Sequence, residues 1–310
     1  MSEVAWIGLG HMGVPMAAHL VGAGHTVRGV DIDGTARRTA REAGVEPAGS
    51  VAEAVRGADV VFTMLQSGPV VEEVLTGPAG AFAHLAPGAV VVDCSTIGID
   101  MARSLYRRAE EHGVGFVDAP VSGGVQGAEQ ASLTLMLGGD AVDVARVEPL
   151  LKSIGSYIVH VGASGDGQAM KVVNNAMMGI SMAASCEAAV LAQRLGLDPQ
   201  VFYDVVLRSS GDSWTFRNWF PLPGVVPTSP SSHGYEPGFM VDLVHKDLRL
   251  ATETAEEFDV RMDVVRTAMR LFAEASESGA GKRDLTALAL ELGAVVRTPG
   301  ERFGPLDRIA

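Results

Sequence analysis

The sequence predicts an α/β protein: a doubly wound sheet domain, then an all-α helical domain, joined by a long spine helix. A glycine-spaced turn follows the first apolar strand, strand-like runs alternate with helical patterns to about residue 163, and strand patterns then nearly vanish. Such alternation predicts a mainly parallel sheet with helices on both faces. We therefore expect a sheet domain over 1–163, a helical domain over 164–296 and a loosely held tail over 297–310.

The N-terminal glycines have the spacing of a dinucleotide-binding turn. Gly8 permits a tight turn, Gly10 lets the backbone approach a pyrophosphate, and Gly13 lets the following helix pack close to its strand. The second strand-like run ends at Asp31, which lies 18 residues after Gly13, close to the ~20 expected for an acid that binds ribose. This order predicts a Rossmann-type domain that binds NAD, with glycines that merely punctuate an ordinary βαβ unit as the alternative.

The remaining elements follow from apolar periodicity. Strands are predicted at 4–7, 26–30, 60–64, 90–93, 115–118, 133–138 and 157–161, with helices near 11–22, 34–43, 50–57, 69–76, 98–112 and 141–153. Beyond a glycine-rich boundary at 162–167, helices are predicted at 168–195, 199–208, 240–257, 261–278 and 282–293. The first of these would be ~42 Å long. Between the helices at 199–208 and 240–257, residues 209–239 are predicted to form a long loop rich in Pro, Gly and aromatic residues. Such loops are more often functional than idle.

Composition excludes several classes of protein. A net charge of −13 argues against nucleic acid or an anionic membrane as the main partner. The chain has only Cys94 and Cys186, which we interpret as packing residues in a reducing cytoplasm. We expect no secretory signal, and the uncharged stretch at 172–186 is shorter than the ~20 residues of a membrane span. The eight histidines lack metal-ligand spacing, so no metal site is expected.

Three groups of polar residues are candidates for chemistry. Lys171 and Asn175 are four residues apart and share one face of the spine helix, where an apolar site would disfavour a charged lysine and let it exchange protons; a snorkelling lysine is the alternative. Ser122, followed by two glycines at a strand end, suits a small carboxylate, unless it is only a turn. The third group, Lys246 and Asp247, has no weight alone, because such pairs are common on surfaces.

Together these segments resemble the β-hydroxyacid dehydrogenase family over about residues 3 to 295. The matching stretches are WIGLGHMGVPMA at the N-terminus, DCSTIG at 93–98, DAPVSGG at 118–124, LTLMLGG at 133–139, GDGQAMKVVNN at 165–175 and HKDLRLA at 245–251. The stretches SSGDSW, PLPGVVP and YEPGF within 209–239 are similar to the branch that oxidises a short, methyl-branched 3-hydroxy acid. Two departures are Gln66, where relatives usually have proline, and Val70, where a polar residue is common.

The resemblance implies a role for each matching residue. Lys171 would be the catalytic lysine and Asn175 its positioning partner, with the substrate carboxylate on Ser122, Gly123 and Gly124. Trp214 and Phe239 would enclose the substrate methyl group, and Asp247 would also lie at the substrate. The implied contacts with NAD are Gly8, Leu9, Gly10, His11, Met12, Gly13, Asp31, Met64, Leu65, Gln66, Thr96 and Lys246.

The expected reaction is hydride transfer from a hydroxy acid to NAD in a dry cleft between the two domains, with Lys171 taking the alcohol proton. Asp31 would repel a 2′-phosphate and Ile32 offers no cation, so NAD is expected over NADP. The resemblance implies a homodimer or homotetramer. A family member acting on tartronate semialdehyde, succinic semialdehyde or serine remains open, as does a non-catalytic dinucleotide-binding module.

Overall fold

The computed structural model describes residues 1–296, and the predicted tail at 297–310 lies outside them. The chain divides into two compact units between Lys171 and Val172. The boundary expected after residue 163 lies at the glycine-rich segment just before this division. The functional limits of 1–163 and 164–296 stay a prediction.

The first unit contains a nine-stranded sheet within the described residues. Its strands are β1 Glu3–Ile7, β2 Thr26–Val30, β3 Glu46–Pro47, β4 Val60–Thr63, β5 Val90–Asp93, β6 Gly115–Asp118, β7 Val121–Ser122, β8 Leu133–Gly138 and β9 Gly155–Gly162. Their order is β3-β2-β1-β4-β5-β6-β8-β7, with β9 paired to β8. All neighbours from β3 to β6 are parallel, whereas β8 is antiparallel to β6 and β7. The expected mainly parallel sheet is confirmed.

Helices cover both faces of this sheet because alternate strand residues are apolar on both sides. On β1, Val4 and Trp6 enter one core and Ala5 and Ile7 enter the other. The Trp6 ring stacks on Phe62 of β4 at a centroid distance of 4.9 Å. The helices are α1 Gly13–Gly22, α2 Gly34–Glu42, α3 Val51–Val55, α4 Gly68–Thr76, α5 Ile99–Glu111, α6 Gly124–Glu129 and α7 Ala141–Leu151.

The spine helix α8, Asp166–Arg194, has 29 residues and runs across the division between the units. In the part of the chain that the structure describes, it is the one helix whose length and composition would allow a membrane span. Half of its most apolar stretch is buried inside the protein.

The described part of the second unit is helical. Its further helices are α9 Pro199–Val206, α10 Trp214–Asn218, α11 Val241–Glu257, α12 Asp263–Ala275 and α13 Leu288–Glu291. Its larger core joins α8 to α11 and α12 through residues such as Met182, Cys186, Leu248 and Phe272. The predicted α/β domain followed by an all-α domain is therefore confirmed.

Two sequence-based expectations in the second unit were wrong. The 209–239 segment is not an irregular loop, since it contains α10 and a short 3₁₀ turn and buries Phe216, Phe220 and Tyr235. The single helix predicted at 282–293 is a 3₁₀ turn followed by α13, because the Asp284 side chain is buried and caps the segment by accepting from Thr286 N.

Candidate active site

The glycine turn has the close backbone packing that its spacing predicts. Gly8 has φ of +98°, and a Cβ there would overlap the carbonyl oxygen of Met64. A Cβ on Gly13 would overlap the carbonyl oxygen of Gly8, which already accepts from Trp6 Nε1 at 2.9 Å. Only glycine fits at either position without moving the backbone.

The middle of the turn is open. Gly10 and His11 are exposed, and no atom of the described residues outside the immediate chain lies within 4 Å of where a Gly10 Cβ would stand. Met12, the residue before α1, supplies no side-chain cap to the described first turn. Val14 N donates to Gly10 O at 3.1 Å and Pro15 has no N–H, so a ligand would meet chiefly the exposed backbone of the turn. This open cradle fits the pyrophosphate of a dinucleotide.

Asp31 ties the end of β2 to the glycine turn. Its Oδ2 accepts from Leu9 N at 2.6 Å, and its Oδ1 accepts from Asp33 N at 2.8 Å. A carboxylate has about four acceptor sites, so both oxygens retain capacity for ribose hydroxyls. The Arg37 guanidinium donates to the carbonyl oxygen of Asp31 at 2.6 Å, which places a cation beside this strand end although Ile32 supplies none.

The other residues expected at NAD follow neighbouring strands. Met64, Leu65 and the exposed Gln66 come after β4, and Thr96 comes after β5. Since β2, β1, β4 and β5 are adjacent and parallel, these residues and the glycine turn share the carboxyl edge of the sheet, where open α/β sheets bind their ligands. Leu65 N donates to Ser95 Oγ at 2.9 Å, which joins the two loops.

Lys171 is buried beside the Ser122 turn. The residue is 8% exposed, and Nζ donates to the carbonyl oxygen of Val121 at 2.6 Å. The snorkelling interpretation is therefore wrong. Ser122 ends β7, Gly123 has φ of +132°, and α6 begins at Gly124, so N–H groups that start a helix follow the hydroxyl directly. The structure brings together the lysine and the turn that the sequence could only name separately.

The second unit holds a buried polar group on α8 and α11. Asn175 Nδ2 donates to Asp247 Oδ2 at 2.5 Å, and Lys246 Nζ lies 3.3 Å from Asp247 Oδ1. The side chains of Lys246 and Asp247 are 20% and 4% exposed, so they are not an ordinary exposed surface pair. Asn175 also accepts from Asn174 Nδ2 at 3.0 Å. Asn175 lies one helical turn after Lys171 on α8.

The two expected substrate walls differ in environment. Trp214 is half exposed and meets Trp219 edge-on at a centroid distance of 4.8 Å. Phe239 is partly buried against the larger helical core, as is Trp219. The Phe239 backbone is fixed by donation from its N–H to Asp284 Oδ2 at 2.9 Å.

Two groups of buried residues were missed or left without a role by the sequence analysis. Asp118 Oδ1 and Oδ2 accept from Gly165 N and Gln168 N, at 2.8 and 2.9 Å, and so hold the first turn of α8. Burial raises the pKa of Asp118 to about 6. Asp93 accepts from Thr63 Oγ1 at 2.6 Å, and burial also raises its pKa to about 6. The available signal was a carboxylate at the end of an apolar strand.

We expect Asp93 to make stability depend on pH. Its pKa rises from 3.8 to about 6, and Oδ2 has no hydrogen-bond partner within the described residues. A carboxyl that is more basic in the folded state stabilises fully below its unfolded pKa, and this contribution is lost as pH rises through the folded pKa. Between about pH 3 and 7, wild type should therefore lose roughly 3 kcal/mol of unfolding free energy relative to Asp93→Asn. Urea unfolding measures this difference, and parallel pH profiles would contradict it.

Both cysteines are buried, as packing residues would be. Burial raises the pKa of both thiols, which disfavours a nucleophilic thiolate. Within residues 1–296, no cluster of three or more His, Cys, Asp or Glu side chains could hold a metal ion.

Comparison with known proteins agrees with this geometry. A family model described as the NAD binding domain of 6-phosphogluconate dehydrogenase matches residues 3–162. A second, described as NAD-binding of NADP-dependent 3-hydroxyisobutyrate dehydrogenase, matches residues 165–292.

Similar proteins cover most of the chain. A probable 3-hydroxyisobutyrate dehydrogenase of Mycobacterium tuberculosis is 45% identical over 82% of this chain and 85% of its own. An NAD-dependent L-serine dehydrogenase of Pseudomonas aeruginosa is 39% identical over 92% and 96%. The solved structure of M. tuberculosis 3-hydroxyisobutyrate dehydrogenase with L-serine has a TM-score of 0.84 and 41% identity, and covers 95% of this chain and 100% of that one. The chain therefore belongs to the β-hydroxyacid dehydrogenase family of nicotinamide-dependent oxidoreductases.

Proposed function

We propose that the chain is an NAD-dependent dehydrogenase that oxidises 3-hydroxyisobutyrate to methylmalonate semialdehyde, a step of valine breakdown. The observation that carries this proposal is the buried Lys171, whose Nζ lies 2.6 Å from the carbonyl oxygen next to Ser122. A proton acceptor and a carboxylate cradle are thus neighbours in a chain whose relatives include named 3-hydroxyisobutyrate dehydrogenases.

Each residue has a distinct part in the proposed reaction. The Ser122 hydroxyl and the N–H groups of Gly123 and Gly124 bind the substrate carboxylate and so fix one end of a short chain. Lys171, in its neutral form, accepts the proton of the hydroxyl on the third carbon, a contribution worth ~10²–10⁴-fold in rate. The bound nicotinamide supplies the acceptor for the hydride.

The polar group on α8 and α11 holds two more residues that we assign to the reaction. Asp247 holds Asn175 by a hydrogen bond and Lys246 by an ion pair, and its own burial makes both contacts strong. Asn175 shares the helix face of Lys171 one turn away, so we assign it to orient the substrate and Lys246 to bind the cofactor. Asp247 fixes their geometry.

The cofactor preference should be for NAD. A 2′-phosphate would meet the carboxylate of Asp31, which repels it. We expect kcat/KM with NAD to exceed that with NADP. Asp31→Ala should lower the ratio of kcat/KM with NAD to kcat/KM with NADP, because Arg37 already lies at this strand end and could bind the 2′-phosphate. Adding Arg37→Ala should remove this increase in activity with NADP. Initial rates with both cofactors decide this, and an equal or higher wild-type kcat/KM with NADP would overturn the assignment.

The substrate preference should favour a methyl branch. If Trp214 and Phe239 enclose the space beyond the carboxylate, a methyl group gains ~1–3 kcal/mol there, whereas a polar substituent loses hydration. We expect 3-hydroxyisobutyrate to exceed 3-hydroxypropionate in kcat/KM by roughly tenfold or more, with glycerate and serine poorer still. Trp214→Ala should reduce this ranking before it abolishes activity. Absorbance of the reduced nicotinamide across this panel is the test.

Serine oxidation is the second candidate, because one relative is named an L-serine dehydrogenase and a similar solved structure includes L-serine. Higher kcat/KM with serine than with 3-hydroxyisobutyrate would replace the substrate and keep the mechanism. Reduction of tartronate semialdehyde or succinic semialdehyde is the remaining catalytic alternative. It is tested in the reverse direction, with these aldehydes and the reduced cofactor as substrates. A non-catalytic dinucleotide-binding module would have no use for the buried Lys171 and Ser122 together.

We further propose a cytoplasmic homodimer or homotetramer without nucleic-acid or membrane partners. Met170, Val173, Met177 and Leu191 are 45–67% exposed along α8, and an exposed apolar row of this kind is typical of a subunit contact. Light scattering of wild type and Met177→Glu tests it, since the glutamate should dissociate the assembly. Free Cys94 and Cys186 fit the reducing cytoplasm.

A further inference from the structure

Gln168, in the first turn of α8, is a fully buried amide that binds three backbone groups of one loop. Its Oε1 accepts from Ile97 N at 3.1 Å and from Gly98 N at 3.3 Å, and its Nε2 donates to the carbonyl oxygen of Ser95 at 2.8 Å. Only an amide supplies both an acceptor and a donor at these places. The side chain therefore fixes the path of the loop after β5.

This loop includes one residue proposed to bind the cofactor and contacts another. Thr96 is part of it, between the backbone groups that Gln168 holds. Ser95 Oγ accepts from Leu65 N at 2.9 Å, and Ser95 N donates to the buried Asp93 at 3.2 Å. A shift of the Gln168 amide would therefore move both the Thr96 loop and the loop after β4.

On its other side, Gln168 belongs to the turn that carries Lys171. Its backbone N–H donates to Asp118 Oδ2 at 2.9 Å, and Gly165 N donates to Asp118 Oδ1 at 2.8 Å. Gln168 and Lys171 are three residues apart on α8, hence on one face of the helix. Because Lys171 Nζ is itself held by Val121 O, the start of α8 is fixed from both sides.

We propose that Gln168 is a positioning residue that fixes the cofactor-binding loop at 95–98 to the helical turn that carries the proton acceptor Lys171. Its side chain contacts protein backbone, so it acts through those two elements. A displacement of ~1 Å between reacting groups can lower a rate by 10²-fold. The proposal rests on the proposed dehydrogenase function for its kinetic part and on NAD binding for the rest.

The test compares Gln168→Met and Gln168→Glu with a matched control. Gln193, later on α8, is also a buried amide that bridges backbone: its Nε2 donates to Val295 O at 2.7 Å and its Oε1 accepts from Val295 N at 3.0 Å. Gln193→Met removes the same kind of hydrogen bonds from the second unit. Equal losses of Tm in the two methionine variants would show that both lose structural contacts alike.

We expect only the Gln168 variants to lose function. Their kcat/KM should fall by 10- to 100-fold, the Kd of NAD by fluorescence titration should rise at least threefold, and the primary deuterium isotope effect on kcat should increase, because hydride transfer becomes slower than product release. Gln193→Met should keep all three values near wild type.

The proposal would be overturned if Gln168→Met, measured at a temperature below its Tm, had the kinetics and the NAD affinity of wild type. If that variant does not fold, Gln168→Glu decides, since its second oxygen faces Ser95 O without a donor. The NAD titration needs no substrate. A wild type that binds NAD but oxidises no hydroxy acid would refute the proposed function, while the Kd comparison would still test Gln168.

Discussion

Lys171→Ala should lower kcat by roughly 10²-fold or more, the scale expected for loss of a general base, while NAD affinity stays near wild type. The lysine Nζ donates to Val121 O beside the proposed carboxylate cradle, and alanine leaves no group to take the alcohol proton. Lys171→Met is the matched control for shape, because it keeps the length and loses the amine. Both variants should show the same loss of kcat.

Lys171→Arg should not restore turnover, because a guanidinium stays charged and cannot accept the proton. Steady-state kinetics and NAD titration measure these effects. A methionine variant with near-native kcat would show that the lysine serves packing only. A parallel loss of NAD affinity in all three variants would instead place Lys171 at the cofactor.

Three glycine variants should separate folding from cofactor binding. Gly13→Ala should lose stability by ~1–3 kcal/mol or more, because its Cβ would overlap Gly8 O. Gly10→Ala has open space in the described protein, so it should keep its Tm and yet bind NAD at least tenfold more weakly, since the methyl group stands where a pyrophosphate must approach. Gly22→Ala, also in open space on α1, should leave NAD affinity unchanged and should not lower Tm.

Thermal unfolding and NAD titration measure both properties on the same samples. If Gly10→Ala binds NAD as tightly as Gly22→Ala does, the phosphates lie elsewhere. If Gly13→Ala has the same Tm as wild type, the close packing of α1 on the turn does not contribute to stability.

The fold was predictable wherever local pattern and tertiary structure agree. Strands β4 and β5 lie in apolar runs, which indicate them without knowledge of their partners. The two-residue strands β3 and β7 exist only through pairing with β2 and β8, so no local pattern marks them. The sequence did not reveal α10 or the burial of Phe216 and Phe220, because the prolines and glycines around them are typical of a loop.

In the candidate site, too, the sequence revealed local relations between residues but not long-range contacts. Lys171 and Asn175 were identified together because residues four positions apart on one helix share a face whatever the fold. The hydrogen bonds of Asn175 to Asp247 and of Gln168 to the 95–98 loop join positions about 70 residues apart, and residue spacing contains no information on such contacts. For the same reason, the sequence could not distinguish a buried Lys246–Asp247 pair from a surface pair.

The most direct test of the central claim follows the transferred hydrogen. Wild-type enzyme is incubated with NAD and 3-hydroxyisobutyrate that carries deuterium on its hydroxyl-bearing carbon, and the reduced cofactor is examined by NMR. We expect deuterium at C4 of the nicotinamide, with methylmalonate semialdehyde as the other product, and far slower formation of both by Lys171→Met. Reduced cofactor without deuterium at C4, or no reduction of NAD by this substrate, would contradict it.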